Sequence, residues 1–149
     1  MSVTTLGIVQ STDQSPSSVR WAYLLFVGLP LTLAVGIYLF FRSSPPPLLQ
    51  ALLTWHPVSV IRLGAHLDWL VYNVPDALWA FGFTSFLLIA CRRDSPMVRK
   101  LYLTVGFVLM IGVEVGQGRW LAGTYDPLDV VATVVGAGLA WLLLKRSVN

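Results

Sequence analysis

Glu114, Gln117, Asp126 and Asp129 fall within one stretch, Gly112 to Gly136, whose flanks are strongly apolar. A second polar pair, Asn73 and Asp76, opens another apolar run, and Thr133 lies about one turn beyond Asp129. Carboxylates and carboxamides in such a setting can accept hydrogen bonds from hydroxyl or amine groups, hold a cation, or pair with a guanidinium such as that of Arg119. In an apolar medium each of them needs a partner or a purpose. Glu114 and Gln117 are three apart and share a helix face, as do Asn73 and Asp76. The expected ligand-binding set is Asn73, Asp76, Glu114, Gln117, Arg119, Asp126, Asp129 and Thr133.

Plainer readings exist for several of these. Asp126 precedes Pro127, with Asp129 three residues on, which is the pattern of an N-cap with an acidic first turn. Asn73 and Asp76 fit the start of a helix in the same way. Capping does not account for Glu114, near the end of its apolar run. His56 and His66 lack metal-ligand spacing to each other and read as interface residues. An Asp-x-x-Asp pair takes arginines as readily as divalent ions. Gly112, Gly116, Gly118 and Gly123 follow no strand, so they are not a phosphate loop, and no Ser-His-Asp or Cys-His arrangement can be assigned. No metal and no cofactor is expected.

The elements that carry these residues read as membrane helices. Apolar residues make up 56% of the 149-residue chain and charged ones 11%, well short of a soluble domain's share of charge. The formal charge is +3, but the basic residues cluster at the ends of apolar runs, as topology signals do, so nucleic acid is not an expected partner. A single cysteine, Cys91, excludes an internal disulfide. The expected fold is all-α, a polytopic membrane protein of four spans at about 21–41, 70–91, 101–117 and 127–144. Residues 1–20 read as a mobile tail. The first span, kinked by Pro30, is longer than a signal-peptide core and lacks a following cleavage site. It carries no charge and is expected to be peripheral. Between the first two spans, Trp55, His56, Arg62, His66 and Asp68 among leucines suggest a helix lying along the membrane surface.

Arg20, Arg92, Arg93, Arg99, Lys100, Lys145 and Arg146 fall on one side of such a bundle, and Arg42, Arg62 and Arg119 on the other. That split puts both termini in the cytoplasm. Trp21, Tyr23, Tyr102 and Trp141 are then expected at the inner interface, and Tyr38, Trp69, Tyr72, Trp120 and Tyr125 at the outer one. Along helices rising about 1.5 Å per residue, Asp76 lies about 24 Å from Arg92, Asp129 about 24 Å from Lys145, and Glu114 about 21 Å from Lys100. Three helices thus bring a carboxylate to one level, where two or three buried charges call for Arg119 or Arg62 to close over them. Gly112-xxx-Gly116 and Ala132-xxx-Gly136-xxx-Ala140 are small-residue patterns that allow close helix approach.

Glu114-xx-Gln117, a short polar turn, Asp126-xx-Asp129 and then Gly136 in a small-residue stretch resemble the VanZ-like family of bacterial membrane proteins. The segment NVPDALWAF, Asn73 to Phe81, is similar to the second-span signature of some relatives. The resemblance covers roughly residues 65–144. Gly123 stands where that family usually has Arg, and Thr133 where it usually has Asn, with Arg119 a candidate substitute for the missing guanidinium. The resemblance implies a multi-pass protein of the bacterial inner membrane, in a family associated with low-level teicoplanin resistance.

Three functions fit these residues: an outward-facing pocket binding a lipid headgroup or glycan-bearing lipid without catalysis, a structural or accessory subunit of a larger membrane complex, and a membrane enzyme on a lipid-linked substrate. The expected partners are membrane lipids and, in the second case, other membrane-protein subunits. The topology has a direct test. A Ser95→Cys variant should resist an impermeant thiol reagent in intact cells and react only after permeabilisation. Labelling of intact cells would mean that the orientation is inverted.

Overall fold

The structure is a computed structural model that describes residues 16–41, 67–117, 119–121 and 125–148. The surface helix expected around Trp55, His56, Arg62 and His66 lies outside the described residues, as does the sequence up to residue 15. Among the described residues the fold is all-helical: α1 (Pro16–Tyr23), a π turn (Leu24–Gly28), α2 (Leu29–Phe41), α3 (Asp68–Ala90), a 3-10 turn (Cys91–Arg93), α4 (Pro96–Gly116) and α5 (Pro127–Val148).

Three helical stretches are long and apolar enough to cross a membrane: Ser17–Phe41, Asp68–Arg93 and Pro127–Lys145. α4 is not one of them. Arg99, Lys100 and Glu114 bracket its uncharged part, which rises only about 20 Å against a hydrocarbon core of about 30 Å. The first helix also begins earlier than the apolar run suggests, because Pro16 is well suited to a first helical position. Its irregularity sits just ahead of Pro30. The Leu29 N–H reaches back five residues to the Leu24 carbonyl, a π turn beside the residue that has no N–H of its own to donate.

Helix ends follow local chemistry. Ser95 Oγ accepts from the Val98 N–H at 3.4 Å with Pro96 in the first turn, so α4 starts on a side-chain cap. It ends where Gln117 turns extended, and the Gly116 carbonyl collects the N–H groups of Arg119, Trp120 and Leu121 at 3.2, 3.0 and 3.1 Å. α5 starts at Asp126, whose Oδ1 accepts from the Leu128 N–H at 2.9 Å.

α3 is the central helix and packs most extensively against α5. A Cβ on Gly136 would overlap the backbone carbonyl of Ala77, so the two helices meet with nothing between their backbones. Thr133, Gly136, Ala137, Ala140 and Leu144 are buried along that seam, as the small-residue pattern predicts. The other pattern needs correction. Gly112 is exposed, with nothing within 4 Å of the position a Cβ would take, and Gly116 faces Leu121 of the following turn. The close approach of α4 falls at Gly106 instead, where a Cβ would lie 2.6 Å from Leu87 Cδ1.

The first helix is not peripheral. Pro30, Ala34 and Tyr38, spaced by four, are buried against α3, and at the other end Leu88, Ile89 and Leu144 form a core with Val19, Tyr23 and Phe26 around it. The Tyr23 and Phe86 rings lie 6.2 Å apart, and those of Phe26 and Phe81 6.4 Å. Nothing in a uniformly apolar span marks which face turns inward.

Gly136→Ala should destabilise the protein despite Ala's better helix propensity, by about 1–3 kcal/mol as overpacking usually does. Gly138→Ala, with open space around its Cβ, should not. Equal melting temperatures for the two variants in detergent would refute the α3–α5 contact.

Candidate functional site

α3 carries Asp76 at half burial, one residue before the Ala77 contact. Pro75, fully buried, removes one backbone donor from the helix at this point. Asn73 turns its Nδ2 back onto the Trp69 carbonyl at 2.8 Å, while its buried Oδ1 has no donor among the described residues. Because α3 begins at Asp68, Asn73 and Asp76 lie more than a turn inside it. The capping reading therefore does not apply to them.

Asp76 is held from a second helix. Tyr38 Oη donates to Asp76 Oδ1 at 3.0 Å, and Tyr38 is only 7% exposed. Tyr38 is the functional residue that the sequence hides. It reads as one of an interfacial aromatic group, yet Trp69, Tyr72, Trp120 and Tyr125 are exposed while Tyr38 points inward. Its spacing of four from Pro30 and Ala34 puts all three on one face, but nothing in the apolar sequence marks that face as the inner one.

Asp76, Glu114 and Thr133, from α3, α4 and α5, line one cavity of about 300 Å³. Its walls are apolar, built by Trp79 and Phe83 of α3 with Leu109, Met110 and Val113 of α4. Glu114 is half-buried, and its Oε2 accepts from Gln117 Nε2 at 3.3 Å. Asp129, half-buried in the first turn of α5, lies within electrostatic reach of Glu114. Thr133 is 3% exposed and adds a hydroxyl to the same wall. The result is an acidic, hydrogen-bond-accepting end on a largely apolar chamber.

Five predicted residues are not in the cavity lining: Gln117 and Asp129 stand by Glu114, and Asp126, Arg119 and Asn73 play other parts. Asp126 is exposed and caps α5 through both its side chain and its carbonyl, the latter accepting from Asp129 N–H at 3.0 Å. Arg119 is exposed in the turn after α4 and is not part of the cavity lining, so it does not close over the carboxylates. Asn73 lies outside the cavity wall, one turn from Asp76. Arg62 and His66 fall outside the described residues. Among the described residues no three His, Cys, Asp or Glu side chains gather in a group that could hold a metal ion.

No protein-family model, curated protein or solved structure matches the chain.

Tyr38→Phe should lower stability by about 0.6–1.7 kcal/mol, the range of polar contacts between membrane helices. Combined with Asp76→Asn in a double-mutant cycle, it should show a coupling above about 0.5 kcal/mol. Strict additivity would mean that the 3.0 Å contact does not hold Asp76.

Proposed function

We propose that the protein is a non-catalytic membrane protein whose carboxylate-lined cavity binds the headgroup of a lipid or a glycan-bearing lipid. The observation that carries this reading is the meeting of Asp76, Glu114 and Thr133 from three helices in one cavity with apolar walls. Carboxylates accept strong hydrogen bonds from hydroxyl and ammonium groups, and the surrounding apolar medium strengthens them. The rings of Trp79 and Phe83 and the stems of Leu109 and Val113 would meet the apolar part of the same molecule. A cavity with acidic groups and, among the described residues, no basic side chain in its wall favours a neutral polyhydroxyl or cationic group over a phosphate alone.

In this reading α4 also crosses the membrane, as the third of four spans. Its uncharged run is short for the bilayer, and the shortfall is met by Lys100 and Arg99 extending to one interface. At the other end, Glu114 faces the cavity instead of the hydrocarbon. Both termini then lie in the cytoplasm, and the carboxylates open toward the outer face of a bacterial inner membrane. The resemblance of Glu114-xx-Gln117 and Asp126-xx-Asp129 to the VanZ-like pattern supports the same placement.

Glu114→Gln retains size and hydrogen-bonding capacity while removing the charge. It should reach normal abundance and lose co-purifying lipid together with any cellular phenotype. Leu88→Ala, at a site 1% exposed, should instead cost about 2–5 kcal/mol of stability and leave the lipid carried per folded molecule unchanged. A Glu114→Gln protein that loses abundance as Leu88→Ala does would make Glu114 a packing element. One that keeps every lipid the wild type carries would refute the pocket.

A further inference from the structure

At the opposite end of α4 a second cavity of about 690 Å³ opens between α3, α4 and α5. Leu103, Phe107, Val134 and Trp141 give it apolar walls, and Arg99 and Lys100 form its basic rim. It exists because α4 stands off from the α3–α5 pair, touching α3 closely at Gly106. Only Gly106 and Gly116 of α4 are buried. We infer that this groove is a binding site for an anionic phospholipid of the surrounding bilayer, with its phosphate on Arg99 and Lys100 and an acyl chain along Leu103, Phe107 and Trp141.

Charge and shape select this occupant. A basic rim on an apolar intramembrane groove complements a molecule that is anionic at one end and hydrocarbon beyond it. Helix stability does not account for the two cations, since basic groups in the opening turns of a helix oppose its dipole. A topology signal accounts for their charge but not for the cavity that the same two residues line. The acidic cavity described above takes the opposite chemistry at its polar end. The two sites therefore divide the inner face of α4 between them, with Met110 common to both.

Gly138 supplies a clean perturbation. It lines the groove, and a Cβ there would meet nothing within 4 Å, so Gly138→Leu adds bulk to the groove without a clash at Cβ. The test is native mass spectrometry of the full chain in detergent, titrated with phosphatidylglycerol or with phosphatidylcholine of the same acyl chains. Wild type should prefer phosphatidylglycerol. Arg99→Gln with Lys100→Gln should weaken that lipid by about 30-fold, the factor for two basic residues contributing about 1 kcal/mol each, and bring it level with phosphatidylcholine. Gly138→Leu should weaken both lipids. Retained phosphatidylglycerol preference in the double Gln variant, or unchanged lipid binding by Gly138→Leu, would overturn the proposal. So would a Gly138→Cys protein that cross-links to a second copy or to a partner helix through the groove.

Discussion

The bundle is referred to one steric constraint, the absence of a side chain at Gly136. With only hydrogen there, α5 lies directly against the carbonyl of Ala77, and the depth and rotation of both helices follow. Asp76 is the next residue along α3, and Thr133 lies one turn from Gly136 on the same face of α5. The contact that fixes the pair therefore also sets one acidic and one hydroxyl group at the same level. In a bilayer, where lipid tails are as apolar as leucine side chains, close backbone approach is the main source of such specificity. Leu144 and Leu88 continue the seam to the other end.

The remaining helices are arranged by what they add to that pair. α2 lies against α3 and contributes Tyr38, whose hydroxyl donates to the Asp76 carboxylate across the two helices. α4 stands off, and its distance creates both cavities. Glu114 faces one of them and Arg99 and Lys100 rim the other, so the charged ends of α4 face chambers rather than hydrocarbon. Among the described residues, Asp76 is thus held by a neighbouring helix, Asp126 and Ser95 serve as caps, and Glu114 lines a cavity.

Much of this is legible in the sequence because it rests on short-range chemistry. Asp126-Pro127 announces a helix start through a cap and a proline that needs no donor. The Ala132–Gly136–Ala140 spacing fixes one face of α5 by helix period alone. The span expected at about 101–117 is not among the helices long and apolar enough to cross, since Lys100 and Glu114 bound its uncharged run. Other features depend on how helices rotate about their axes, which spacing does not encode. Gly112 and Gly116 have the same spacing as a packing motif, yet the rotation of α4 turns Gly106 toward α3 instead. Tyr38 reads as an interfacial aromatic because a lone tyrosine near a span's end usually is one. Arg119, close to Glu114 in sequence, is carried outward by the turn that begins at Gln117.

The central claim is that Asp76 and Glu114 face a ligand rather than each other's helix. A structure determined by electron cryomicroscopy in nanodiscs of the native lipid tests it most directly. Elongated non-protein density is expected in the 300 Å³ cavity, with its polar end within hydrogen-bond distance of both carboxylates and its apolar part against Trp79 and Phe83. A cavity closed by α4 packing flush on α3 and α5, or carboxylates paired with a basic side chain of this chain or a partner, would contradict it.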